Sequence, residues 1–166
     1  MLLSMKKLFV LSVLSIIYFA NINCQIPSVK LKNIDGKTID TAKLNNDGKP
    51  FIISFFALWC KPCLRELSAI HDVYADWQDE TGVKLIAISG DQGQDSYKVA
   101  PHVNGNGWEY EILLDPNNEF RRAMGVSTIP AIIIIDGKGK IVSVRTGYTD
   151  GSEKHLIEEI RKLIMK

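Results

Sequence analysis

Apolar and polar positions along this chain change period several times, and each change marks an element. Short apolar stretches at residues 29–31 and 38–39 flank Asn33-Ile34-Asp35-Gly36-Lys37. An Asp-Gly turn between such stretches predicts a hairpin. Residues 50–56, PFIISFF, are apolar without alternation, which predicts a strand buried on both faces. Leu64, Leu67, Ile70, Val73, Tyr74 and Trp77 then recur every three or four positions. That spacing predicts one face of a helix, which Gly82 can stop. A second continuous run, residues 83–89, predicts another central strand.

Beyond it the signals shorten. Residues 95–102 predict a short helix interrupted around Pro101, and Asn104-Gly105-Asn106-Gly107 predicts a loop. A strand is expected at 110–114 and a short helix at 118–124, ending at Gly125. The AIIII run at 131–135 is β-rich, and Asp136-Gly137-Lys138-Gly139 turns it into an antiparallel partner at 141–145. A last helix opens near Ser152 and turns Leu156, Ile157, Ile160, Leu163 and Ile164 inward. Strands alternating with helices predict an α/β domain.

The first 24 residues stand apart. Met5-Lys6-Lys7 precedes an apolar run at 8–20 and a polar boundary at Asn21 and Asn23. A short positive head with a short apolar middle predicts a secretory signal. The run is shorter than the roughly 18 apolar residues that argue for a membrane-spanning helix. Cleavage after Cys24 would leave Gln25 first, and cleavage before it would leave a lipidated cysteine. An uncleaved anchor is the other option. The domain reading is therefore 1–24 as signal and 25–166 as a single domain, which can bury a real core.

Charge narrows the function classes. The chain carries 20 basic and 19 acidic residues, and without Lys6 and Lys7 the balance turns slightly acidic. This excludes a basic nucleic-acid binder. Three cysteines are too few for a disulfide scaffold. His71, His102 and His155 form no triad or metal pattern by spacing, and Ser89-Gly90-Asp91-Gln92-Gly93 carries no phosphate-loop pattern.

Chemistry concentrates at Trp59-Cys60-Lys61-Pro62-Cys63, where a strand gives way to a helix. Thiols three residues apart can close a small ring. A helix start favours a negative sulfur at Cys60, through its free amides and its dipole. Such a setting lowers a thiol pKa from about 8.5 toward 7 or below. Pro62 suits the first turn. Cys60 is thus the candidate attacking thiol, and Cys63, one turn deeper, the resolving one. A zinc site would need two more ligands. A permanent structural disulfide or two inert buried cysteines are the remaining alternatives.

FFALWCKPC resembles the active-site stretch of the thioredoxin superfamily, and Thr128-Ile129-Pro130 is similar to that family's cis-proline loop. The resemblance implies a thioredoxin fold: a central mixed sheet flanked by helices, here with an N-terminal hairpin and an αβ insertion over residues 95–115. It implies that Ile129 offers backbone groups to an extended peptide and that Pro130 keeps the loop facing the cysteines. Trp59 would form the rim of that groove, and Gly147 would line it. Trp59 could also serve packing alone, and Gly147 a plain turn.

Cys63-Leu64-Arg65-Glu66 narrows the resemblance to exported TlpA-type proteins of the AhpC/TSA–TlpA group, in which a glutamate at this spacing tunes proton transfer at the thiols. Glu66 lies one turn beyond Cys63 on nearly the same face. Desolvation there would raise its pKa and let it take a thiol proton. A solvated, ion-paired glutamate is the alternative. Two departures are visible. Ser54 stands where cytosolic thioredoxins carry a buried acid, and Ser68 where this group often has a helix-kinking proline.

The resemblance covers roughly residues 27–166. It implies a thiol–disulfide oxidoreductase acting on protein disulfides in the cell envelope as a reductant. The protein would be periplasmic or otherwise extracytoplasmic, resupplied by a membrane electron donor and free of dissociable cofactor. The same fold could run as an oxidase or isomerase, or as a non-catalytic peptide-binding module. A peroxidase reading is weak, because Ala57 stands three residues before Cys60.

Overall fold

A computed structural model describes residues 26–165. The expected signal segment, residues 1–24, lies outside the described residues. Seven strands form one sheet in the order β2-β1-β5-β4-β3-β6-β7. They are β1 (Lys30–Asn33), β2 (Thr38–Asp40), β3 (Phe51–Phe56), β4 (Lys84–Ser89), β5 (Glu111–Leu114), β6 (Ala131–Ile135) and β7 (Ile141–Thr146). The helices are α1 (Lys61–Thr81), α2 (Val99–Gly105), α3 (Glu119–Ala123) and α4 (Glu153–Ile164).

The sheet is mixed. β3, β4 and β5 run parallel, while β6 and β7 add antiparallel on one side and β1 and β2 on the other. All residues of β3 and β6 are buried, as continuous apolar runs require. Their alternate side chains serve two cores. Ile52, Phe56, Leu85, Ile132 and Ile134 meet α1, α2 and α4. Phe51, Ile53, Phe55, Ile86 and Ile133 meet Phe120 of α3 and the N-terminal Ile26 and Leu31. Each such side chain contributes roughly 1.5–3 kcal/mol by leaving water.

The hairpin forms as expected, with Leu31 opposite Ile39, and β1 then joins the main sheet through β5. Gly82 ends α1 in the left-handed conformation (φ 65°), its amide donating to the Gln78 carbonyl. The expected break around Pro101 lies elsewhere. A 3-10 helix, Gly93–Lys98, gives way to α2 at Val99, so Pro101 falls in the first turn of α2. An amide in a helix's first turn needs no acceptor within that helix, so a proline is tolerated there. The helix runs on to Gly105 and takes in part of the expected loop. On α4, Leu156, Ile157 and Ile160 are buried, but Ile164 is exposed at the helix end rather than turned inward.

At the end of the sheet where β3 begins, the β6–β7 turn touches the loop before β3. A Cβ on Gly137 would overlap the Gly48 carbonyl oxygen. Backbone cannot yield as a side-chain tip can. Gly137→Ala is expected to lower stability by about 2 kcal/mol, read from urea unfolding, with disulfide exchange by the folded variant unchanged.

Candidate functional site

β3 ends at Phe56, and α1 begins five residues later, at Lys61. Between them a turn closes with the Cys60 amide donating to the Ala57 carbonyl at 3.0 Å. Cys60 is the N-cap of α1, and Pro62 sits in its first turn. Cys60 and Cys63 are joined in a disulfide, with their Cα atoms 5.3 Å apart. The Cys63 amide points at the Cys60 sulfur, 3.3 Å away. A free helix-start amide therefore already faces the sulfur that would become a thiolate.

Access to the two sulfurs is graded. Cys60 is 5% exposed and Cys63 0%, while Trp59 is 71% exposed and stands out from the turn. Cys63 begins the buried stripe of α1, which continues through Glu66, Leu67, Ile70, Tyr74 and Trp77.

Glu66 is a carboxylic acid inside that stripe. It is only 4% exposed, and among the described residues its Oε2 has no hydrogen-bond partner. Burial pushes its pKa up to about 8. The solvated alternative is thereby excluded. Tyr148 lies close enough to feel it: its hydroxyl is pushed up first by burial and then by Glu153, Asp150 and Glu66.

The loop ahead of β6 carries a cis Ile129–Pro130 bond. Ile129 packs against both cores, and Pro130 is buried. Gly147, just past β7, adopts φ 80° and donates its amide to the Pro130 carbonyl at 2.9 Å. Trp59 and Ile129, 70 positions apart, line one cavity of about 300 Å³ together with Ala57, Asp91, Asn118 and Arg121. The predicted residues thus fall into three linked groups: the cysteines with Glu66 behind them, Trp59 with Ile129 at the cavity, and Gly147 tied to Pro130. Ser54, at the centre of β3, is fully buried, and among the described residues its hydroxyl has no hydrogen-bond partner.

Asp91 is absent from the sequence-derived site. It is 1% exposed, and its carboxylate accepts the Leu58 amide of the turn that leads to Cys60. One sequence signal was available: an acid placed just past an apolar strand, level with the cysteine-bearing turn. The histidines stay apart. His71 and His102 stack edge-on against Tyr110 and Trp108, and His155 approaches Glu158 on α4.

The family model described as AhpC/TSA family matches residues 22–144. The thiol-disulfide oxidoreductase ResA of Halalkalibacterium halodurans is 28% identical over 134 residues, which cover 81% of this chain and 72% of that protein. ResA of Bacillus anthracis is 29% identical over 118 residues, covering 71% of this chain and 65% of that protein, just under two thirds of its length. The solution structure of a thioredoxin-like protein from Porphyromonas gingivalis is 63% identical. It covers 87% of this chain and 95% of that one, with a TM-score of 0.76. The sheet order, the buried disulfide and these likenesses describe one thioredoxin-type fold.

Proposed function

The chain belongs to the AhpC/TSA family, and on that premise we propose that this thiol–disulfide oxidoreductase reduces disulfides of protein partners outside the cytoplasm. The observation that carries the reading is the disulfide at the start of α1, with Cys60 at the surface edge and Cys63 sealed beneath it.

The Cys60 thiolate attacks one sulfur of a partner disulfide. The partner's other sulfur leaves as a thiolate and takes a proton from solvent. Cys63 then gives its proton to Glu66 and attacks the Cys60 sulfur. This closes the Cys60–Cys63 disulfide and expels the partner's second sulfur as a thiolate, which takes a proton from solvent. Glu66 supports that order of events. Burial raises its pKa to about 8, near that of an ordinary thiol, so a proton can pass from Cys63 to the ionised fraction of Glu66. Trp59 and Ile129 at the cavity, with Pro130 and Gly147 joined backbone to backbone, supply a surface for an extended segment of the partner.

The extracytoplasmic setting rests on the charged and apolar pattern of residues 5–24. An oxidising compartment would exhaust such a reductant, so an electron donor in the membrane restores the dithiol. A lipid on Cys24 or a retained leader would hold the domain close to that donor. Among the described residues, no helix is long and apolar enough to cross a membrane.

The test is the reduction potential of the Cys60–Cys63 pair, measured by equilibrating the Cys24→Ser chain with glutathione. A potential more negative than about −220 mV is expected. One near −120 mV would make the protein a disulfide donor and reverse the proposed direction. No detectable equilibrium would leave a peptide-binding module.

A further inference from the structure

β3 and β4 pair in parallel as far as Phe56 opposite Ser89. One step on, the Gly90 amide still donates to the Phe56 carbonyl at 2.8 Å. The next amide on the β3 side, that of Leu58, finds no backbone acceptor. It donates instead to both oxygens of Asp91, at 3.1 and 3.0 Å. The Ser89 hydroxyl donates to Oδ2 at 2.8 Å, and the Asp91 amide donates back to the Ser89 hydroxyl at 3.2 Å. A carboxylate so thoroughly removed from water is costly unless its acceptor sites are filled. Asp91 has them filled by the Ser89 hydroxyl and by the turn that leads to Cys60.

Leu58 is the second residue of that turn, which closes from Cys60 back to Ala57. Two residues of chain and one hydrogen bond separate the carboxylate from Cys60, a reach of roughly 10 Å at most. Both groups are buried, so salt and water screen little of the interaction. The other charged groups around the turn are Lys61, Arg65 and Glu66 on α1, Asp95 beyond β4, and Asp115 and Arg121 across the cavity. Asp95 is paired with Lys98, and Asp115 accepts the Glu119 and Arg121 amides.

We propose that Asp91 is a positioning residue for the redox reaction. Its carboxylate clamps the Leu58 amide so that the turn presents Cys60, and its buried charge disfavours the Cys60 thiolate and makes the dithiol more strongly reducing. The disulfide carries no charge, so only the reduced form feels the second effect. The proposal rests on the thiol–disulfide reading above and adds to it a residue outside the cysteine motif.

Asp91→Asn removes the charge and keeps an acceptor for Leu58. In glutathione equilibration its dithiol is expected to oxidise about tenfold less readily than wild type, a potential about 30 mV less negative. Alkylation of reduced Cys60 at pH 6 is expected to be several-fold faster. A merely structural Asp91 would lower the melting temperature of both redox forms alike and move neither reading. Leu58→Pro tests the clamp separately. It deletes the amide at a turn position that welcomes proline, and it should slow exchange with a disulfide peptide at least fivefold. A folded Asp91→Asn variant with wild-type equilibrium and alkylation overturns the proposal. So does Leu58→Pro exchanging at the wild-type rate, which decides the matter alone if the asparagine variant does not fold. Should wild type itself show no equilibrium with glutathione, the oxidoreductase reading falls and this proposal with it.

Discussion

Replacing Cys60 with serine is expected to abolish disulfide exchange, with the rate falling by roughly three orders of magnitude or more. A serine hydroxyl offers no thiolate near neutral pH, and the thiolate is the nucleophile. Cys63→Ser should behave differently. Cys60 can still attack, but nothing beneath it can resolve the product. A mixed disulfide between the variant and its partner should accumulate, visible as a combined mass on a non-reducing gel and lost on adding dithiothreitol. Stability separates chemistry from folding here. A disulfide closing so small a ring contributes only about 2 kcal/mol in the chain-entropy account. Both serine variants should therefore melt close to reduced wild type. If Cys60→Ser trapped the partner and Cys63→Ser did not, the roles assigned from 5% and 0% exposure would be reversed.

Glu66 should leave its mark on stability as well as rate. Its pKa is about 8 in the fold, against 4.5 as the ordinary value. Below pH 4.5 both folded and unfolded chains carry the proton, and Glu66 contributes no slope. Between pH 4.5 and 8 the unfolded chain has lost that proton while the folded one keeps it, so stability falls as pH rises. Above pH 8 the slope ends. The integrated loss is on the order of 3–5 kcal/mol, since burial leaves little solvent to soften it. Glu66→Gln should flatten the pH 4.5–8 window in urea titrations of the oxidised protein. The same variant should slow exchange by roughly a hundredfold, because Cys63 loses its proton acceptor. A wild-type profile that is already flat across this window would refute the buried-acid reading.

Much of this molecule can be read from local signals. The runs at 50–56, 83–89 and 131–135 predict three strands of the sheet, each within one residue of its observed bounds, because a strand covered on both faces has no polar side to show. The helix stripe from Leu64 to Trp77 and the stop at Gly82 are likewise local. Cys60, Cys63 and Glu66 stand at helical spacing, so their shared face could be anticipated, whereas the depth of Glu66 depends on what packs over α1. Pro101 misled because a proline marks a break only when it is not in a first turn, and that depends on where the helix begins. Asp91 and Gly137 were out of reach for another reason. Each matters through a contact with a segment far away in sequence, Leu58 in one case and Gly48 in the other. Residue type alone does not disclose such partners.

The pairing of β1 with β5 bears on the order of assembly. Lys32 lies opposite Leu114, so docking this strand closes a loop of about 80 residues, an entropic term of about 4 kcal/mol. β3, α1 and β4 are consecutive and can gather first, carrying the two cysteines with them. The cis-proline loop arrives some 70 residues later, and the N-terminal hairpin has no sheet edge to join until β5 is in place. A chain emerging from its N-terminus thus exposes its reactive thiols before it possesses β6 and α4, whose Ile132, Ile134, Leu156 and Ile160 share a core with them. Its opening strand spends the longest time without a partner, and the sheet closes only when most of the chain is present.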